Sequence, residues 1–269
     1  MTSGLEYDDA AARRLESIYT TRDVVAQRRE VLRALALQPG EQVLDVGVGP
    51  GFLAQEMADG VGAMGSVTGI DISQSMLTLA HARCGESPLA PRITLQRGDA
   101  AALPFPDTAF DAAVVTQVYE YVADVPAALA ELYRVLRPGG RALILDTDWD
   151  SIVWNAADPA LAERILVAWE EHATDPRLPR TLSALLVDAS FQIERREVLV
   201  LFNPEDDPDT YSFGARNLIA SFVVGRRGLA RDEVNAWLDG LRRLGAEGRY
   251  FFSLNRYLFL ALKPRPSRV

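Results

Sequence analysis

The stretch Val43-Leu44-Asp45-Val46-Gly47-Val48-Gly49-Pro50-Gly51 decides the fold. A short apolar run delivers an acidic residue and then three glycines at alternate positions, and Phe52-Leu53-Ala54 opens a helix behind them. Glycine lacks a Cβ, so such a loop turns sharply and brings its backbone against a ligand. The helix N-terminus that follows presents N–H groups that favour an anionic group. A dinucleotide site wants G-x-G-x-x-G/A, whose last small residue lets helix and strand pack closely. Counting from Gly47 and Gly49, that position is Phe52, which is too large, and the run reads D-x-G-x-G-x-G instead. A tight strand-to-helix turn without a ligand is the competing reading.

Outward from this loop, strands and helices alternate. Helical patterns over residues 10–18 and 24–37 come first, and Pro39-Gly40 ends them. Strands are expected at residues 42–46, 66–71, 93–96, 110–116 and 141–147, with helices from 52, 74 and 126 between them. Leu136-Arg137-Pro138-Gly139-Gly140 reads as a helix stop with a left-handed glycine cap. Such alternation gives an α/β fold, a parallel sheet with helices on both faces and ligands beyond the carboxyl ends of the strands. Further on, helices at 159–172 and 178–189 precede a strand at 191–202, a helical stretch at 211–246 and a last strand at 250–262. The expected organisation is an N-terminal helical lid (1–40), a core (41–203), a helical insertion between the last two strands (204–249), and a final strand and tail (250–269).

Composition excludes several classes. A net charge of −9 over 269 residues argues against non-specific nucleic-acid binding, which needs a basic face. Cys84 is the one cysteine, so neither an internal disulfide nor a cysteine-based metal cluster is expected. The acidic start, Met1 to Asp9, has no apolar signal segment, and no apolar run is long enough to span a membrane, so a soluble cytoplasmic protein is expected.

The residues just past the strand ends carry the chemistry. Asp71, in Gly69-Ile70-Asp71-Ile72-Ser73, can accept hydrogen bonds from two ribose hydroxyls; a helix cap is its other reading, for which Ser73 is better placed. Asp99, in Arg97-Gly98-Asp99-Ala100, can accept from an adenine amino group while Ala100 leaves room for the ring, or it belongs to a polar loop before a proline turn. The fourth strand ends at Thr116-Gln117-Val118-Tyr119-Glu120-Tyr121, which sets polar and aromatic groups above the glycine loop.

Together, the glycine loop, the acid after the second strand, Gly-Asp-Ala followed by Leu103-Pro104-Phe105, and Leu-Arg-Pro-Gly-Gly resemble the class I, Rossmann-like S-adenosylmethionine (SAM)-dependent methyltransferases. The resemblance covers residues 20–147 most strongly and points to the small-molecule branch that includes ubiquinone/menaquinone-type C-methyltransferases. It implies a seven-stranded, mostly parallel sheet with an antiparallel last strand, and SAM as cofactor with S-adenosylhomocysteine as product. In such proteins Gly47 and Gly49 face the methionine moiety, Asp71 the ribose, and Asp99 with Ala100 the adenine. Ile72 and Met76 would flank the adenine face, and Gln117 would contact the amino-acid end. Val48 stands where that branch often has cysteine, and backbone contacts should survive the change.

Methyl transfer needs an aligned nucleophile and exclusion of water more than it needs a dedicated base. His172 is the base candidate, against a surface histidine at a charged helix end. Arg28, on the N-terminal helices, would pair with the cofactor carboxylate or form an exposed salt bridge. Asp146, Asp148 and Asp150 hold a cation, accept a proton or cap the next helix, and without a His or Cys partner no metal site is expected. Asn255, Arg256 and Tyr257 line the pocket or alternate in and out of the sheet. Tyr211, Phe213, Leu218, Ile219, Phe222, Val223 and Trp237 make an apolar cover for a hydrophobic or aromatic small molecule, or pack on the core or in a homodimer face. The enzyme reading is therefore methyl transfer to a small molecule. Its alternatives are a quinone-pathway C-methyltransferase, a SAM-binding enzyme that cyclises without methylating, and a non-catalytic binding module.

Overall fold

A computed structural model describes residues 15–266 and divides the chain into two compact units. The larger is formed by residues 28–147 and 177–198 with the described residues 257–266. Its strands are β1 (Gln42–Val46), β2 (Ser66–Asp71), β3 (Ile93–Arg97), β4 (Phe110–Thr116) and β5 (Leu136–Thr147). Helices connect them: α1 (Arg22–Leu35) leads into β1, α2 (Phe52–Gly60) follows it, α3 (Gln74–Gly85) follows β2 and α4 (Val125–Val135) follows β4. Two long strands, β7 (Gln192–Asn203) and β8 (Phe252–Leu262), complete the set, with a helix at Pro179–Asp188 before β7.

The strand order is β3-β2-β1-β4-β5-β8, and β7 also pairs with β8. Every pairing from β3 through β5 is parallel. Order reverses between β1 and β4, so the loops after these two strands part there and leave a crevice at their carboxyl ends. Parallel strands covered on both faces are continuous apolar runs, which is why Val43, Leu44 and Val46 alternate with nothing polar except Asp45. Leu44, Val46, Ile70, Ala113, Val115 and Ile144 of the sheet pack with Leu129 and Leu132 of α4.

One local expectation needs correction. The Leu-Arg-Pro-Gly-Gly segment is not a glycine-capped helix stop: α4 ends at Val135, Leu136 is already extended, and the segment is the bulged beginning of β5. Gly139 does take positive φ, but its amide donates to the Lys263 carbonyl at 2.7 Å, while the Lys263 amide donates to the Gly140 carbonyl at 2.8 Å. The carbonyls that a left-handed cap would have satisfied are met by the Lys263 ammonium, which donates to Tyr133 and Leu136.

The second unit comprises the described residues up to 27 together with 148–176 and 199–256. It holds the helices Pro159–Trp169 (α5), Tyr211–Val223 (α6) and Arg231–Ala246 (α7), and a two-residue strand, Val153–Trp154 (β6), antiparallel to the start of β8. The segment 148–176 thus packs with the helical insertion rather than with the sheet unit. Trp154, Trp169, Tyr211, Ile219, Val223, Trp237 and Phe252 are buried together. The apolar side chains of the insertion are therefore largely consumed by this unit's own core. The expected helix at residues 10–18 falls mostly outside the described residues.

Candidate active site

The site of the sheet unit is built on a backbone knot at the ends of β1 and β2. The amides of Gly47 and Val48 both donate to the Ile70 carbonyl at 2.8 Å, which folds the loop back over β2. The Gly49 amide donates to Asp71 Oδ2 at 2.9 Å, and Asp71 Oδ1 accepts from the Ser73 amide at 2.8 Å. Ser73, not Asp71, caps α3, its hydroxyl accepting from the Met76 amide. Two oxygens of a carboxylate offer about four acceptor positions, so Asp71 keeps capacity beyond its backbone amides for a further donor. Burial raises its pKa, and the backbone amides of Ser73, Gly49 and Ile72 oppose that rise.

The two glycines differ in what they require. At Gly47, with φ +72°, a Cβ would lie 2.2 Å from Val118 Cγ2, so close packing by the loop after β4 demands glycine. At Gly49, with φ +53°, a Cβ would meet nothing within 4 Å. The protein leaves open the space in front of that residue.

Charge at this end of the sheet is negative. Asp45, Glu120 and Asp146 are fully or almost fully buried. Asp146 accepts the Val118 amide at 3.1 Å and Glu120 the Thr147 amide at 3.1 Å, so both acids fix the loops after β4 and β5. Asp45 Oδ2 has no hydrogen-bond partner. Burial, with the Asp71 charge added, pushes its pKa to about 7. Gln117 adopts a left-handed φ of 55°, unusual for a residue with a side chain, while its amide holds the Leu145 carbonyl at 2.6 Å and its Nε2 lies 3.5 Å from Thr147 Oγ1.

Ile72 is 63% exposed, an uncovered apolar side chain beside Asp71, whereas Met76 is buried on the inner face of α3. Asp99 is exposed, and its Oδ1 accepts the Ala101 amide at 2.9 Å; Ala100 packs partly into the core. Arg28 is not an exposed ion-pair residue: it is mostly buried, 3.1 Å from Glu56, with its guanidinium 4.9 Å from the Phe52 ring that opens α2.

His172 lies in the second unit and is not a surface histidine. It is wholly buried, stacked on Trp169 at 3.8 Å and edge-on to Trp149 at 4.6 Å. Burial lowers its pKa to about 4. A base that weak, enclosed by rings, is poorly matched to proton abstraction near neutral pH. Asp148 caps the turn at Trp149–Ser151 by accepting the Asp150 amide at 3.2 Å. Among the described residues no group of three His, Cys, Asp or Glu side chains is placed to hold a metal ion. Sequence reasoning passed over the burial of Asp45 and Glu120 at this end of the sheet; for Asp45 the signal was an acid inside a run otherwise apolar enough to be fully buried.

Residues 44–144 match the family model described as a methyltransferase domain. A protein of Streptomyces fradiae, described as an uncharacterised 37.1 kDa protein in transposon Tn4556, is 32% identical over 253 residues, 92% of this chain and 70% of that one. The demethylmenaquinone methyltransferase of Symbiobacterium thermophilum is 42% identical over 118 residues, 44% of this chain and 47% of that enzyme, so the likeness spans about half the length of the quinone enzyme. Among solved structures, the [4+2]-cyclase SpnF superposes with a TM-score of 0.60 at 23% identity, over 90% of this chain and 82% of that one, a likeness of fold. Residues 44–144 are thus a methyltransferase domain, on the class I, Rossmann-like fold. The cofactor that this fold class implies is S-adenosylmethionine.

The residues present fit that cofactor. A sulfonium and an ammonium suit a sheet end that carries Asp45, Asp71, Glu120 and Asp146, and Asp45 Oδ2 has no hydrogen-bond partner of its own. The missing Cβ of Gly49 leaves the approach clear, and Ile72 offers an apolar surface to an aromatic ring.

Proposed function

We propose that the protein transfers a methyl group from SAM to a small hydrophobic or aromatic molecule by in-line displacement. Bound SAM supplies an electrophilic methyl on a positively charged sulfur. On this reading Gly47, Val48 and Gly49 provide the backbone wall of the methionine end, with Gln117 on its other side. Asp71 accepts from the ribose, and Asp99 and Ala100, with Ile72 and Met76, hold the adenine. Arg28 receives the cofactor carboxylate. The buried acids Glu120 and Asp146 keep the loops fixed and, with Asp71, set negative charge at this end of the sheet, which favours a cationic cofactor before reaction. His172 is a packing residue, and alignment with exclusion of water supplies the rate.

The observation that carries this reading is the Gly49–Asp71 knot beside an open glycine, which pre-forms the cofactor wall. Mass spectrometry after incubation with SAM and a panel of phenols, amines and prenyl quinone precursors tests it. A product heavier by one methylene, with S-adenosylhomocysteine formed in step, is expected. Methylation confined to demethylated quinone precursors would make the chain a quinone-pathway C-methyltransferase, and conversion of an acceptor without S-adenosylhomocysteine would make it a non-methylating enzyme.

A further inference from the structure

Two arginines are buried among the described residues of the second unit, and they differ in one respect. Arg216 is neutralised by Asp206 at 2.6 Å. Arg256, on β8 and only 1% exposed, has no carboxylate partner among the described residues. Its Nη1 donates to Gln27 Oε1 at 2.6 Å, its guanidinium lies 4.7 Å from the Tyr211 ring, and its Nε has no hydrogen-bond partner. A buried guanidinium with a neutral amide and a ring as its neighbours has lost its hydration without gaining a counter-charge. Its planar fork of donors matches a carboxylate or phosphate by two parallel hydrogen bonds.

We propose that Arg256, with Gln27 and Tyr211, forms the recognition site for an anionic group of the methyl acceptor, a carboxylate or phosphate, which enters as the Tyr211 ring moves off the guanidinium. The inference rests on the small-molecule methyltransferase reading and names its substrate class. Tyr211 begins the helical insertion, and Gln27 lies on α1; neither belongs to the loops after β1, β2 and β3 assigned to the cofactor. The cofactor has a carboxylate of its own, so the test separates the two sources.

Titration calorimetry of the S-adenosylhomocysteine-saturated protein with benzoate, phenyl phosphate and the neutral isostere benzamide reads the site directly. The expected result is an anion bound on the order of ten-fold tighter than benzamide, a preference abolished by Arg256→Gln and partly kept by Arg256→Lys. S-adenosylhomocysteine affinity stays within about two-fold of wild type in both variants, which also reports that they fold. Equal binding, or no binding, of anion and benzamide by the wild-type protein would overturn the proposal. A loss of S-adenosylhomocysteine affinity in Arg256→Gln, with 5′-methylthioadenosine unaffected, would assign the arginine to the cofactor carboxylate and overturn the acceptor role. Failure of the wild-type protein to bind S-adenosylhomocysteine would instead strike the methyltransferase reading itself.

Discussion

The backbone amide of Gly49 donates to the carboxylate of Asp71 at 2.9 Å, so the loop after β1 is held by the last residue of β2. One side chain thereby shapes the glycine loop and, on the proposed reading, also accepts from the ribose. Separating those two duties is the first prediction. Asp71→Asn retains an acceptor oxygen for one backbone amide and loses the charge. It should lower stability by about 1–3 kcal/mol and weaken S-adenosylhomocysteine binding by ten-fold or more. Calorimetric binding and thermal melting on the same sample check both numbers.

The two loop glycines should respond differently to an added methyl. Gly47→Ala drives a Cβ into Val118 at positive φ, and should destabilise by about 2–4 kcal/mol, partly relieved by Val118→Ala. Gly49→Ala meets no protein atom, so its stability cost should be about 1–2 kcal/mol from backbone conformation alone, with the larger effect on cofactor affinity. Denaturant melts with and without S-adenosylhomocysteine distinguish the two cases. A Gly49→Ala protein that binds like wild type would remove this loop from the site.

Two buried groups give stability opposite slopes with pH. Asp45 titrates near 7 when folded against 3.8 as a free side chain, so the native state holds an extra proton and stability falls as pH rises through that window. His172 titrates near 4 against 6.5, so the unfolded state holds the extra proton and stability is lost as pH falls through that window. The two windows overlap, so the slopes oppose each other in the wild-type protein: Asp45→Asn should leave the rise of stability with pH that His172 causes, and His172→Phe the fall that Asp45 causes. Urea melts from pH 4 to pH 8 read both slopes, and an unchanged profile in either variant would contradict the assignment of that slope.

Arg28 joins Glu56 and the Phe52 ring at the start of α2. Arg28→Ala should cost about 1 kcal/mol of stability or less, while weakening S-adenosylhomocysteine binding on the order of ten-fold. An affinity unchanged by calorimetry would take Arg28 out of the site and leave it an ion-pair residue.

Much of this was legible in the sequence because the sheet unit obeys local rules. Val43–Val46, Ser66–Asp71 and Phe110–Thr116 are apolar runs bounded by turn residues, and each became a strand within a residue of its expected bounds. The acid and glycines at their ends follow from the fold's geometry. What was hidden depends on contacts distant in sequence. Lys263 caps α4 from the far end of the chain, which no local glycine pattern reveals. His172 looked solvated beside Glu170 and Glu171, yet Trp149, some twenty positions earlier, closes over it. The missing partner of Arg256 is visible only once every neighbour of the guanidinium is known.

The measurement closest to the central claim is a calorimetric titration of the wild-type protein with S-adenosylmethionine, repeated with Asp71→Ala. The account predicts one saturable site with a dissociation constant on the order of micromolar, weakened at least ten-fold in the variant. Absence of binding to the wild-type protein, or equal binding by both, would contradict it.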